Sequence, residues 1–294
     1  MKLSEIRQIL SERDLQLTRS LGQNFLHDAR QLRRIVALAG VQPGERVLEI
    51  GPGLGPLTAA LREAGADVLA LEKDARLVAV LAERLHLAPE PGLPADLEGP
   101  AQPGRLRLVR ADALRLLQRE PECDWSGWKL VANLPYSVAS PILVELALAE
   151  RPPARLVVTL QREVVSRLNA GPGDAAYGLL TLLVRQRYQP AGSFRIPSDC
   201  FFPVPEVESG CIALDRCVPE PLTAPERRVF ARVVKRAFSE RRKKALKLLK
   251  YDWPAAALEA AWCELGLSPE ARAETLSRDV FFELTRRLAR LPAP

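Results

Sequence analysis

Between residues 46 and 161 the chain alternates short apolar runs with helical patterns, and this alternation constrains its fold more than any other feature. The runs are Arg46–Ile50, Asp67–Glu72, Leu106–Val109, Lys129–Ala132 and Arg155–Thr159. Between them lie helix candidates at Leu57–Ala64 and Ala75–Leu85, the second with Leu77, Val78, Leu81 and Leu85 on one stripe. Strand and helix in repetition predict an α/β fold, a mostly parallel sheet covered by helices on both faces. Past Gln161 a helix is expected over Glu163–Leu168, and the runs Leu179–Tyr188 and Gly210–Asp215 are expected to pair antiparallel at the sheet edge.

Ala88–Gly104, rich in Pro and Gly, reads as a surface loop, and Pro219–Pro225 as a linker. Beyond it Glu226–Arg290 is helical in pattern, so two domains are expected, 1–217 and a small all-α domain over 218–294. Charge divides them too. Residues 227–250 hold eleven Lys or Arg against the single acid Glu240, a net +10, which leaves −4 for the rest of a chain totalling +6. In that segment Val229, Phe230, Val233, Val234 and Ala237 form an apolar stripe beside Arg228, Arg232, Lys235 and Arg236, with Arg241, Arg242, Lys243 and Lys244 following. Such a run is either a solvated helix face or a polyanion surface, and its density favours RNA.

Hydrophobic content of 47% and charged content of 27% fit a soluble globular protein. The opening MKLSEIRQILSERDLQL has no secretory apolar core, and no run approaches membrane-spanning length, so the expected location is the cytoplasm, with no membrane partner. Five scattered cysteines without a C-x-x-C pair, and only two histidines, argue for free thiols and against a metal site or zinc-dependent hydrolysis.

Glu49-Ile-Gly-Pro-Gly-Leu-Gly-Pro-Leu-Thr58 lies where the first strand meets the first helix. Gly51, Gly53 and Gly55 let the backbone turn tightly and approach a ligand at the carboxyl end of a strand. The spacing is G-x-G-x-G rather than the dinucleotide G-x-G-x-x-G. Pro52 and Pro56 remove N–H groups that a diphosphate would want, and Glu49 adds negative charge. A cationic ligand with a ribose fits better, and S-adenosylmethionine is such a ligand. Glu72, 21 residues after Gly51, ends the next strand and can accept from both ribose hydroxyls. Asp112 follows the third strand; it is either a helix N-cap or an acceptor for an adenine amine.

Asn133-Leu-Pro-Tyr136 follows the fourth strand at the same sheet edge. The Asn133 carboxamide oxygen and the Leu134 carbonyl, set by the Pro135 bend, are two acceptors, and Tyr136 offers a stacking face. Together they suit an aromatic amine such as adenine N6. That lone pair is delocalised, and two acceptors aimed at its hydrogens favour a pyramidal, more nucleophilic nitrogen. Catalysis is then positioning and electrostatics, with no covalent enzyme intermediate and no histidine base.

On these motifs the chain resembles the ribosomal RNA adenine N6,N6-dimethyltransferases, the kasugamycin-resistance family. The resemblance spans most of the chain. It implies a Rossmann-like class I methyltransferase domain, S-adenosylmethionine as cofactor with S-adenosylhomocysteine as product, and small-subunit ribosomal RNA or the immature small subunit as partner. Leu21-Gly-Gln-Asn-Phe-Leu26 is similar to the family's cofactor-capping stretch, which brings in Gln23, Asn24 and Leu26; taken alone, Gln23 and Asn24 read as helix caps near Asp28. Phe201-Phe-Pro-Val-Pro-Glu-Val-Glu-Ser209 resembles the pattern F-x-P-x-P-x-V-x-S, whose first Phe stacks on the target base; that implies Phe201, with Phe202 as a core anchor on the opposite side. Phe238–Lys243 resembles a basic helix-turn of the C-terminal domain. The Ala88–Gly104 loop resembles an insertion, and Glu206 stands where Lys is commoner.

The implied reaction is dimethylation of two adjacent adenosines in the 3′-terminal hairpin of small-subunit RNA, with a second role in subunit maturation and a monomeric state. Three alternatives compete with it. The macrolide-resistance methyltransferases act on large-subunit RNA and tend to carry Ile where this chain has Leu134. A nicotinamide oxidoreductase conflicts with the glycine spacing and the prolines. A non-catalytic assembly factor would bind immature subunits only.

Overall fold

The structure is a computed structural model that describes residues 1–17, 22–94, 97, 99–240 and 242–291. The chain divides into two compact units, Met1–Val165 with Pro190–Arg216, and Ser166–Gln189 with Cys217–Pro294. Residues 166–189 group with the C-terminal helices. Tyr177 and Leu182 are buried in one apolar cluster with Phe230, Val234 and Phe281, which accounts for that grouping.

The first elements are α1 (Leu3–Glu12), β1 (Phe25–Leu26), α2 (Ala29–Ala39), β2 (Arg46–Ile50), α3 (Pro56–Glu63), β3 (Asp67–Glu72) and α4 (Ala75–Leu85). There follow β4 (Leu106–Arg110), α5 (Ala113–Arg119), β5 (Trp128–Asn133), α6 (Ala139–Leu148), β6 (Arg155–Gln161), α7 (Arg162–Asn169) and α8 (Leu179–Arg185). The chain continues through β7 (Tyr188–Ile196), β8 (Phe201–Phe202), β9 (Ser209–Arg216), α9 (Ala224–Ala237), α10 (Ala245–Leu249), α11 (Ala255–Glu264) and α12 (Arg278–Leu288).

Among the described residues the main sheet has seven strands in the order β4-β3-β2-β5-β6-β9-β7. From β4 through β6 every pairing is parallel, and β9 runs antiparallel to β6. The central strands are largely buried because helices exclude water from both faces; β3 is buried at every position, its terminal Asp67 and Glu72 included. Three aspartates start helices by accepting a backbone N–H: Asp28 for α2, Asp74 for α4 and Asp112 for α5. From β2 the chain steps outward to β3 and β4, then returns to lay β5 on the other side of β2. That reversal opens a crevice beyond the carboxyl ends of β2 and β5.

The expected strand over Leu179–Tyr188 is a helix instead. Gly178 N–H donates to Thr181 Oγ1 at 3.1 Å, the Thr181 hydroxyl donates to the Arg167 carbonyl at 2.7 Å, and Thr181 to Val184 are all buried. A short run buried on every side carries no periodicity to separate helix from strand. The sheet-edge strand is β7, which begins three residues after α8 ends.

In the second unit a capping box opens α9: Glu226 accepts from Thr223 N–H at 2.8 Å and Thr223 Oγ1 accepts from Glu226 N–H at 3.5 Å. Phe230 packs on Phe282 with ring centroids 5.3 Å apart, over a core that includes Trp262 and Phe281. All five cysteines are free. No helix among the described residues is long and apolar enough to cross a membrane.

Candidate active site

Four strand ends converge on one cleft of about 1010 Å³, open mouth included. β2 delivers Glu49, Gly51 and Gly53; β3 delivers Glu72 and Lys73; the turn after β4 delivers Asp112; β5 delivers Asn133 and then Pro135. Gln23, Asn24, Phe25 and Leu26 close one side. The sequence-predicted cofactor residues, apart from Gly55, therefore line a single space.

The glycine turn is closed by its neighbours. Gly51 and Gly53 have φ of +71° and +58°, and a Cβ on Gly53 would lie 2.7 Å from the Phe25 ring. Gly53 N–H donates to Glu72 Oε2 at 3.1 Å, and Asp74 N–H donates to Oε1 at 2.9 Å. Each Glu72 oxygen keeps further acceptor capacity toward the cleft. Gly55 serves packing: it starts α3 at φ +84°, and a Cβ there would come 2.5 Å from Leu81 Cδ1.

The electrostatics favour a cation. Three acidic side chains, Glu49, Glu72 and Asp112, line the cleft against one ammonium, Lys73. Glu49 is 1% exposed, and Thr58 Oγ1 donates to its Oε2 at 2.7 Å. Burial pushes the Glu49 carboxyl up to about 8; the Thr58 bond opposes this and the Glu72 charge adds to it. Burial also raises Glu72. Around Asp112 burial acts upward, but Lys73 at 3.0 Å and the Arg115 N–H at 3.3 Å hold the carboxyl below its ordinary value. Asp112 is thus both a helix N-cap and a cleft residue.

Asn133 stands at the centre. Its Nδ2 donates to the Asn24 carbonyl at 2.8 Å, while its buried Oδ1 has no hydrogen-bond partner among the described residues. A buried acceptor without a donor costs roughly 1–3 kcal/mol and invites an external N–H. Gly22 sits against the bend that follows: a Cβ there would be 3.3 Å from Tyr136 N. The Leu134 side chain is buried and Tyr136 is half-buried, its hydroxyl 2.5 Å from Ser209 Oγ.

The burial of the two phenylalanines is the reverse of the expected one. β8 pairs antiparallel with β1, Leu26 opposite Phe201 and Phe25 opposite Phe202. Phe201 shares the inward face with Leu26 and is 1% exposed in the core beside the sheet. Phe202 is the half-buried ring, packed with Phe25 near α1, with the Arg7 guanidinium 5.5 Å from its centroid. Phe201 therefore presents no face to a base in this structure. Leu21, at the start of the capping stretch, lies outside the described residues.

Several residues in or beside the cleft went unnoticed in the sequence. Lys73 directly follows Glu72, and adjacency to a strand end was its only signal. Asp74 receives Gln23 Nε2 at 2.9 Å, which anchors the capping stretch, and its bonds from Arg76 bring its carboxyl down to about 2. Phe25 had no polar signature at all.

The basic segment is only partly available. Arg236 forms a two-point pair with Asp252 at 2.8 Å for both contacts, Arg232 Nη2 donates to the Asp252 carbonyl at 3.0 Å, and Lys244 pairs with Glu270 at 2.5 Å. Lys235, Arg242 and Lys243 are exposed and have no carboxylate partner among the described residues; Arg241 lies outside them.

A doubly wound sheet with β9 antiparallel beside β6, a glycine turn after its central strand, and an acid after each of the next two strands define a class I S-adenosylmethionine-dependent methyltransferase. The free Asn133 oxygen, the open lone pairs of Glu72 and the acidic side chains of the lining fit that cofactor. A family model described as ribosomal RNA adenine dimethylase matches residues 15–290, and the chain belongs to that family. It is 41% identical over 286 residues to ribosomal RNA small subunit methyltransferase A of Nocardia farcinica, covering 96% of this chain and 93% of that one. The Thermobifida fusca protein of the same name is 40% identical over 275 residues, with 93% and 91% covered. The fold is shared with a dimethyladenosine transferase from Plasmodium falciparum (TM-score 0.68, 22% identity, 88% and 95% covered). It is also shared with the 23S rRNA methyltransferase ErmE (TM-score 0.64, 24% identity, 90% and 99% covered).

Proposed function

We propose that this chain dimethylates N6 of two adjacent adenosines in the 3′-terminal hairpin of small-subunit ribosomal RNA. The small-subunit target is supported by the name of relatives alike over nearly the whole chain. The observation that carries the chemistry is the unpartnered, buried Asn133 Oδ1 at the end of β5.

Asn133 Oδ1 accepts one N6 hydrogen, and the Leu134 carbonyl accepts the other. These bonds draw the amine toward a pyramidal geometry and aim its lone pair. Asn133 Nδ2 stays on the Asn24 carbonyl, which fixes the carboxamide so that oxygen, not nitrogen, faces the amine. The Tyr136 ring supplies the stacking face, oriented through Ser209. S-adenosylmethionine, when bound, supplies a methyl group on a sulfonium that is already an excellent leaving group. Glu72 accepts from the ribose hydroxyls, Asp112 from the cofactor's adenine amine, and Glu49 faces the cationic end. Gly51 and Gly53 allow close backbone approach, and Gln23, Asn24 and Leu26 cap the space. The N6 proton leaves after transfer, when the nitrogen is cationic and acidic, so no histidine base is required.

The C-terminal helices bind RNA phosphate through Lys235, Arg242 and Lys243, which gives affinity and salt dependence rather than base choice. The target adenine is taken unstacked from a loop. The protein works as a cytoplasmic monomer and also takes part in small-subunit maturation.

The test incubates labelled S-adenosylmethionine with small subunits from a strain lacking this methylation, and with large subunits in parallel, followed by nucleoside chromatography. Label in N6,N6-dimethyladenosine near the small-subunit 3′ end is expected. Label confined to large-subunit RNA would overturn the target, and no transfer to either would overturn the substrate.

A further inference from the structure

The turn after α10 exposes an aromatic ring just past the end of the basic segment. Tyr251 is 70% exposed, one of few large apolar side chains so open among the described residues. Elementary burial energetics argue against leaving a ring there, since covering it would gain free energy. The turn is nevertheless well built. Tyr251 N–H donates to the Leu248 carbonyl at 3.2 Å, and Asp252 and Trp253 N–H both donate to the Leu249 carbonyl, at 3.0 and 3.1 Å.

Two arginines expected at phosphate hold this turn instead. Arg236 grips Asp252 with two bonds and sets its guanidinium 5.8 Å from the Tyr251 ring centroid. Arg232 bonds to the Asp252 carbonyl and lies 4.7 Å from the centroid of the buried Trp253 ring. Their charges are thus committed to shaping the turn. Lys235, adjacent to Arg236, and Lys247, four residues before Tyr251, are exposed with no carboxylate partner among the described residues.

We propose that Tyr251 is a stacking platform for an unpaired RNA base, with Lys235 and Lys247 taking the phosphates on either side. The inference rests on the RNA-binding reading above and adds the kind of nucleotide this face takes. An exposed, pre-set ring on a face that also carries exposed ammonium groups is how proteins grip single strands: stacking contributes about 1–3 kcal/mol per base, and the cations track the backbone. A ribosomal protein surface would match the apolar ring but not the unpaired lysines.

Binding of the full chain to three probes tests this: small ribosomal subunits lacking the methylation, an unstructured 12-mer RNA and a blunt RNA duplex. Tyr251→Ala is expected to weaken the 12-mer by roughly five- to 150-fold. Duplex affinity and the slope of log affinity against log salt should stay unchanged, and Tyr251→Phe should restore binding. Lys235→Ala is expected to flatten the salt slope by roughly 0.7 on the 12-mer. Tyr251→Ala equal to the parent on a 12-mer that the parent binds would overturn the platform and leave the RNA reading intact. Loss on small subunits with none on the 12-mer would point to a protein contact and overturn it too. A parent that binds none of the three probes would overturn both readings.

Discussion

The cleft and the basic face solve opposite problems. In the cleft, charge is acidic, buried and held by single irreplaceable contacts: one Thr58 hydroxyl on Glu49, two backbone N–H groups on Glu72, one carbonyl on Asn133 Nδ2. On the basic face, charge is exposed and repeated. Some of its cations are tied to Asp252, Glu270 and Glu259, and others are left to solvent. Buried groups in low dielectric interact strongly and individually, whereas exposed ones are screened and share their work. A change of one atom should therefore matter in the first region and be diluted in the second.

The largest break is expected at Asn133. Asn133→Ala removes the acceptor and should lower single-turnover methylation by about 10²–10³, the scale for losing one preorganised polar contact. Cofactor affinity by calorimetry should move far less; unchanged turnover would take Asn133 out of the mechanism.

Next is pH. With its carboxyl at about 8, Glu49 holds a proton at neutral pH that a cationic cofactor must displace. Affinity for S-adenosylmethionine should rise by up to about tenfold per pH unit below 8 and level off above it, and Glu49→Gln should flatten the profile. Stability runs the other way. The folded state keeps this proton while the unfolded chain has lost it above the ordinary value of 4.5, so Glu49 costs stability increasingly as pH rises from 4.5 through 8. Glu49→Gln should raise the melting temperature most at pH 8 and above.

Gly53→Ala should weaken cofactor binding by about tenfold, the strain of a left-handed alanine plus the Phe25 contact. Parent-like binding would show that the turn is less tightly enclosed than its geometry implies. The smallest effect is expected on the basic face. Lys243→Ala should cost only a fewfold in RNA affinity and flatten the salt slope by roughly 0.7–0.9. A hundredfold loss there would end the contrast between the regions.

What could be read in advance follows the same division. The sheet and the cleft were legible because β2 through β5 are locally coded: apolar runs, then a glycine turn, an acid or an Asn at each strand end. Contacts decided by distant partners were not. Alternation placed Phe201 and Phe202 on opposite faces, but which ring faces the core is settled by β1, some 175 residues earlier in the chain. Asp252 claims Arg232 and Arg236 across 20 and 16 residues, so a count of cations overstated those open to phosphate. The short apolar run at 179–185, buried at 181–184, could not declare helix or strand, and Gly55, read as a ligand contact, answers to Leu81 on a different helix.

The β1–β8 ribbon sets a rule about chain length. It is two residues long on each side, extended by the His27 N–H bond to the Cys200 carbonyl at 3.0 Å. Strand side chains alternate with a period of two, so losing or gaining one residue next to this ribbon would turn Phe202 inward and Phe201 out. The described residues of 88–104 carry no strand of the sheet beyond a single bridge from Glu90 to Val109, and the loop past that bridge can change in number without reversing any face. Insertions and deletions should therefore be tolerated at that loop and purged from the few residues around Phe25 and Phe201, whatever side chains they bring.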